Sequence, residues 1–419
     1  MDYSKMRPES LMMTYGYKPQ LSEGSLKCPI FQTSTFVFNS AMEGKRFFEV
    51  AYGLSEQEQG EEMGLIYSRL NNPDLEILEN RLSLWDKADD CAVFESGMSA
   101  IATAMMEFME PGDLLLYSRP VYGGTDHFIN HFLKKLNIES VGFSPMDSKE
   151  EIIERVKASG RADRLAMIHI ETPANPTNAL IDIDMCAEIK QLFQNENNKE
   201  VILSVDNTYM GPIWQHPLNH GADLVIYSAT KYIGGHSDVI AGACLGNKAH
   251  MARVKGLRTF LGNMAAPFTG WMLMRSLETL KVRMEQQARN AVEVANFLKS
   301  HPKVEKVYFL GFIPTEGSER EKDIYARQYE SSGAMIAFDV VGGEAEAFRF
   351  LDSLKLIKLA VSLGGTESLA EHPYTMTHAD VPQDVKNAMS ITEKLVRISV
   401  GVEYYEDTIA DIAQALDKI

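Results

Sequence analysis

The stretch S-A-T-K-Y-I-G-G-H-S-D-V-I-A-G, residues 228–242, places a single lysine, Lys231, directly after an apolar run and among glycines and small hydroxylated residues. Burial lowers the pKa of a lysine amine and turns it into a nucleophile toward an aldehyde. Other polar or small residues also stand just after apolar runs. Ser96, Gly97 and Met98 follow C-A-V-F-E and open a helical pattern. Tyr122 follows L-L-L-Y-S-R-P-V, Asn175 follows M-I-H-I-E-T-P-A, and Asp206 ends V-I-L-S-V-D. Ser228 and Thr230 precede Lys231 itself.

These residue types form a chemical set. Amides at a helix start hold a phosphate, and Gly97 and Met98 supply them, with the hydroxyls of Ser228 and Thr230 beside them. Tyr122 is a flat partner for a planar ring. A buried carboxylate, Asp206, keeps a ring nitrogen protonated. A desolvated amine, Lys231, bonds to an aldehyde. Together they describe a site for pyridoxal 5'-phosphate with Lys231 as the covalent attachment point.

Such residues converge only if the runs before them are strands of one sheet, because ligands of open α/β sheets collect at the carboxyl ends of the strands. From Pro73 onward, short apolar runs (C-A-V-F, L-L-L-Y, L-A-M-I-H-I-E, V-I-L-S-V-D, L-V-I-Y-S, A-G-A-C-L-G) alternate with patterns of helical period. The alternation predicts βαβ units and a mainly parallel sheet covered on both faces. A long helical pattern begins near Gly270 and runs to about Leu298. Beyond it, G-A-M-I-A-F-D-V-V, L-I-K-L-A-V-S-L and L-V-R-I-S-V-G are strand candidates of a smaller α+β domain. The expected division is an N-terminal arm (1–68), a cofactor-binding large domain (69–270) and a small C-terminal domain (271–419). Within the arm, Gln32 to Phe38 reads as one extended piece and Glu56 to Glu62 as a solvated loop or helix end.

The chain has 419 residues and a formal net charge of -17, which argues against a binder of nucleic acid. Its four cysteines are widely scattered without metal-ligand spacing, so neither a structural metal nor a disulfide framework is expected. There is no apolar run of the roughly 18 residues a membrane helix needs, and the first ten residues lack the apolar core of a secretion signal. A cytoplasmic protein is the expectation. No G-x-G-x-x-G follows a strand in the first half, which argues against a nucleotide-binding oxidoreductase.

The run D-L-V-I-Y-S-A-T-K-Y-I-G-G-H-S resembles the cofactor-lysine signature of the Cys/Met-metabolism, or trans-sulfuration, family of pyridoxal-phosphate enzymes. The resemblance extends over nearly the whole chain through I-Y-S-R-L-N-N-P, S-G-M-S-A, V-Y-G-G-T, E-T-P-A-N-P-T, V-D-N-T-Y, V-S-L-G-G-T-E-S-L and L-V-R-I-S-V-G-V-E. It implies a fold-type I subunit with a mainly parallel seven-stranded sheet, and a homotetramer built from dimers that share active sites. Under it, Lys231 carries the cofactor and shuttles protons, and Asp206 pairs with the ring nitrogen. Tyr122 stacks on the ring and assists the leaving group. Gly97, Met98, Ser228 and Thr230 hold the phosphate, while Tyr67 and Arg69 reach the phosphate of the neighbouring subunit. Arg397 clamps the substrate carboxylate, with Asn175 and Ser362 assisting. The implied chemistry is γ-elimination or γ-replacement on a small sulfur-containing or O-acylated amino acid. All four central residues, Lys231, Asp206, Tyr122 and Arg397, are present, which argues against a non-catalytic binding protein on the same fold.

Substrate choice rests on two positions. Family members that act on cystathionine carry acidic residues where this chain has Ile66 and Val361. A distal charged amino acid would be poorly paired there, and burying it would be costly. Elimination on methionine is therefore the first expectation, with cystathionine γ-synthase or γ-lyase chemistry and O-acetylhomoserine sulfhydrylation as alternatives. Gly124 stands where bacterial methionine γ-lyases carry a cysteine, and G-G-T-E-S-L resembles the cystathionine enzymes. The stretch from Glu43 to Gly64 is longer than usual in the family and lies near the expected site entrance.

Overall fold

The structure is a computed structural model that describes residues 5–61, 63–381 and 383–419. A seven-stranded sheet is built from β1 (Asp90–Phe94), β2 (Leu114–Ser118), β3 (Glu139–Phe143), β4 (Leu165–Glu171), β5 (Ile202–Asp206), β6 (Leu224–Ser228) and β7 (Gly242–Gly246). Their order is β1-β7-β6-β5-β4-β2-β3, and β7 alone runs antiparallel to its neighbours. Residues of β2 show why both faces are apolar. Leu115 and Tyr117 pack with Ile101 and Met105 of the helix Gly97–Phe108, whereas Leu114 and Leu116 pack with Ile152, Ile189 and Phe193 on the other face. This is the continuous burial of a doubly covered parallel sheet.

A second, five-stranded sheet forms a smaller domain from β8 (Val304–Tyr308), β9 (Met335–Val340), β10 (Lys358–Leu359), β11 (Leu369–Glu371) and β12 (Leu395–Ser399), in the order β10-β11-β12-β9-β8. The expected α/β architecture is thus present, with some strands beyond those expected. The strands β3, E-S-V-G-F, and β8, V-E-K-V-Y, were not anticipated. Both are edge strands with one face toward solvent, so neither needs an unbroken apolar run. The run L-I-K-L-A-V-S-L pairs only through the two residues of β10.

The long helix expected after Gly270 is two helices, Pro267–Leu277 and Leu280–Ser300. Arg283 explains the break: its Nη2 donates to Ser276 O at 3.0 Å, taking the carbonyl that residue 280 would use in a continuous helix. A short α-helix, Gly123–His127, continues as a π turn, Phe128–Phe132, and a 3-10 turn, Leu133–Leu136.

The arm is also more ordered than its composition suggests. Thr35 makes a single bridge to Tyr67, so Gln32 to Phe38 is no strand. Ser40 caps a helix, Ala41–Ala51, by accepting from Glu43 N. Arg46 on this helix grips Glu61 through two bonds of 2.7 Å and Ser55 Oγ through one of 2.6 Å. The acidic stretch expected to be solvated is therefore tied back onto a helix at Glu61; Glu62 lies outside the described residues.

Candidate active site

The carboxyl ends of β1, β4, β5 and β6 surround a cavity of about 300 Å³, closed from the other side by Ser362 and Arg397 of the smaller domain. Ser96, Gly97, Met98, Tyr122, Asn175, Asp206, Ser228, Thr230, Lys231, Val361, Ser362 and Arg397 all line it. The predicted constellation, drawn from positions 96 to 397, is one site.

At the helix Gly97–Phe108, Ser96 Oγ accepts from Ser99 N at 3.0 Å, which leaves the amides of Gly97 and Met98 at the cavity wall. Gly97 has no room for a side chain, since a Cβ there would stand 2.9 Å from Ser228 Cβ. A Cβ at Gly242 would land on the Ser96 carbonyl. Three distant segments thus meet in close contact beside a helix N-terminus, whose positive end favours an anion. The hydroxyl of Thr230 bonds to Ala241, accepting from its N at 3.0 Å and donating to its O at 3.2 Å. That exchange closes the loop carrying Lys231.

Lys231 Nζ donates to Ser362 Oγ at 3.0 Å. Burial, reinforced by the nearby Arg397 charge and opposed by Glu371, holds the amine below the ordinary lysine range. His236 Nδ1 sits 2.7 Å from Gly234 O and 3.4 Å from Ser276 Oγ, a position that orients the loop rather than the chemistry. Asp206 is buried, and Thr208 serves it through its N at 3.0 Å and its Oγ1 at 2.6 Å. Burial pushes its carboxyl up and the Thr208 bonds pull it down, with burial prevailing. The ring of Tyr122 is half exposed at the cavity wall.

Arg397 is buried on β12. Its Nη1 meets Glu371 Oε1 at 2.7 Å and donates to Asn175 Oδ1 at 3.0 Å, while Nη2 donates to Ser362 O at 2.7 Å. Tyr209 OH donates to the same Asn175 oxygen at 2.9 Å.

Two acids escaped the sequence reading. Glu171 ends β4 in register with Asp206 on β5. Its carboxylate accepts from Tyr122 N at 2.6 Å and from Asn175 N at 3.1 Å, joining the two loops that present those residues. Burial, and then the Asp206 charge, push it up to about 8. It could have been found by the rule that found Asp206, a polar residue closing an apolar strand. Glu371, by contrast, ends a three-residue strand with no visible signal.

Ile66, Tyr67 and Arg69 are not part of this chain's cavity. Ile66 is buried, Tyr67 is 40% exposed, and Arg69 Nη1 donates to Thr259 O at 2.8 Å. Val361 is at the rim, 57% exposed. All four cysteines are free and buried. Among the described residues, no helix is long and apolar enough to cross a membrane, and no cluster of His, Cys, Asp or Glu could hold a metal ion.

A helix start with amides at the cavity wall, a buried carboxylate, an exposed aromatic face and a desolvated amine at one sheet edge are the parts of an enzyme of the pyridoxal-phosphate class. The Cys/Met metabolism PLP-dependent enzyme family model matches residues 9–417, and the chain belongs to that family. It is 39% identical to L-methionine gamma-lyase of Porphyromonas gingivalis over 94% of both chains. It is 36% identical to cystathionine gamma-lyase of Bacillus subtilis over 99% of this chain and 100% of the other. Among solved structures, cystathionine gamma synthase from Xanthomonas oryzae in complex with cystathionine superimposes with a TM-score of 0.86 at 30% identity, covering 99% of this chain and 98% of the other. The protein is a PLP-dependent trans-sulfuration enzyme, of the lyase and γ-replacement group.

Proposed function

We propose that the enzyme performs γ-elimination on methionine or a close homologue, releasing a thiol, a 2-oxo acid and ammonia. The observation that carries this reading is the apolar rim: exposed Val361 and Ile240 frame the cavity where a substrate's far end would emerge. These two side chains offer a second charged amino acid no polar partner, whereas a thioether needs none. Cystathionine γ-elimination is the second reading, favoured by the G-G-T-E-S-L run at residues 364–369. O-acetylhomoserine with a thiol would use the same machinery.

Pyridoxal phosphate supplies an electron sink that acidifies the substrate Cα–H. In this reading Gly97, Met98, Ser228 and Thr230 would hold its phosphate. Asp206 would keep the ring nitrogen protonated, and Tyr122 would offer its ring as the flat partner. Lys231 would hold the cofactor, and its amine, which donates to Ser362 Oγ, is placed to take the Cα proton, a task suited to a lysine pKa lowered by burial. Arg397 receives the α-carboxylate, with Asn175 steadying the guanidinium. Tyr67 and Arg69 have no access to their own cavity and are assigned to that of a second copy, in a homotetramer of site-sharing dimers.

Borohydride reduction of the yellow protein should fix the cofactor on a peptide containing Lys231; fixation elsewhere ends the assignment. Supplied separately with methionine, with cystathionine, and with O-acetylhomoserine plus sulfide, the enzyme should turn over methionine fastest, read as 2-oxobutanoate from the first two and as homocysteine from the third. Rapid turnover of cystathionine with inert methionine would instead establish the second reading.

A further inference from the structure

Arg397 reaches the cavity with most of its donors already committed. Glu371 and Asn175 occupy its Nη1 end, and the Ser362 carbonyl takes Nη2. The buried donor left without a partner among the described residues is Nε. Glu371 faces Arg397 across the antiparallel pair β11–β12, in register, and is itself fully buried. It does not line the cavity, although Arg397 and Thr377 do. Its Oε1 also accepts from Thr377 Oγ1 at 3.1 Å, while Oε2 has no partner among the described residues. The acid therefore stands behind the arginine as seen from the substrate.

We propose that Glu371 is a positioning residue that aims Arg397: it holds the Nη1 end, leaves the edge bearing Nε for the incoming α-carboxylate, and as a buried counter-charge limits how tightly that carboxylate is held. The inference rests on the reading of Arg397 as the carboxylate clamp. The physical reasoning is that a buried guanidinium without a counter-ion is costly. A fixed carboxylate removes that cost in the empty site and fixes the fork, and it also repels the substrate's carboxylate through the guanidinium. The site so built releases its amino acid readily instead of storing it.

Two variants separate geometry from charge. Glu371→Gln keeps the shape and an acceptor for Arg397 but removes the charge. Glu371→Asp keeps the charge but is one methylene too short to hold Nη1. The probe is L-norvaline, which has no γ leaving group, titrated into the holoenzyme and followed by the cofactor absorbance. Its methyl ester, which carries no carboxylate charge, is the control. E371Q should bind norvaline about five- to tenfold more tightly and E371D about tenfold more weakly, while the ester changes little in either. Shifts in the same direction for both variants, no shift, or equal shifts for acid and ester would overturn the role of Glu371. If E371Q proves unfolded by circular dichroism, E371D alone decides, since unchanged norvaline affinity in it overturns the proposal. Arg397→Gln tests the underlying reading separately. It should abolish the preference for norvaline over its ester, and a retained preference would remove the clamp assignment itself.

Discussion

Replacing Glu171 by glutamine tests whether two acids at neighbouring strand ends hold a proton between them. Glu171 lies in register with Asp206, both are buried, and both carboxyls are raised by that burial. One pKa unit is worth about 1.4 kcal/mol. A carboxyl raised from 4.5 to about 8 on folding would on its own withdraw roughly 5 kcal/mol of stability as the pH climbs between those values. Asp206 titrates with it, so the protons belong to the pair, and the expected swing from this one group is roughly 2–3 kcal/mol. The sign follows from the direction of the shift. A raised acid contributes its stability fully below its unfolded pKa and loses it as pH rises through the folded one. Wild type should therefore lose ground to Glu171→Gln between pH 5 and pH 9. The amide's lost bond to Tyr122 N or Asn175 N adds a constant offset against the variant, about 1–2 kcal/mol, that does not move with pH. The assay is urea unfolding of the cofactor-free proteins at fixed concentration and several pH values. A stability difference that stays flat from pH 5 to pH 9, or that moves toward wild type, would refute the reasoning.

Asp206→Asn should reduce turnover about 100-fold or more, because an amide cannot keep the ring nitrogen protonated; steady-state kinetics on the cofactor-saturated variant would show it. Gly242→Ala drives a methyl onto the Ser96 carbonyl and should cost about 1–3 kcal/mol of stability together with weaker cofactor retention on dialysis, both absent if the contact relaxes freely. Val361→Glu at the cavity rim should raise the ratio of cystathionine to methionine turnover about tenfold, measured as 2-oxobutanoate formed from each; an unchanged ratio would detach substrate choice from this position.

The chemistry at the large sheet was legible because a parallel strand buried on both faces is written as a short apolar run, and the first polar residue after it stands at the ligand-binding edge. Asp206, Ser228 and Lys231 were found this way, and Glu171 obeys the same rule. What could not be read was pairing across the chain. That Glu371 opposes Arg397 depends on a strand of three residues and on the register of β11 against β12, neither of which leaves a period in the sequence. The helix break before Leu280 likewise depends on Arg283 turning back to Ser276, a tertiary choice hidden in a pattern that is helical throughout. The edge strands β3 and β8 escaped because solvent relieves them of the apolar run that marks their neighbours. In the arm, composition suggested a solvated acidic loop, and one arginine, Arg46, ties it down at Glu61.

The position of β1 has a consequence for how the molecule is made. It is among the first strands to be synthesised, yet its partner in the sheet is β7, which arrives about 150 residues later. At translation speeds of about 5–20 residues per second, the helix following β1 waits on the order of ten seconds or more for the segment that fixes its start. During that interval Ser96 and Gly97 have neither Ser228 nor Gly242 against them. A nascent chain can therefore not complete this wall of the cavity until the lysine loop has left the ribosome, so the finished cavity follows, and does not guide, the assembly of this half of the subunit.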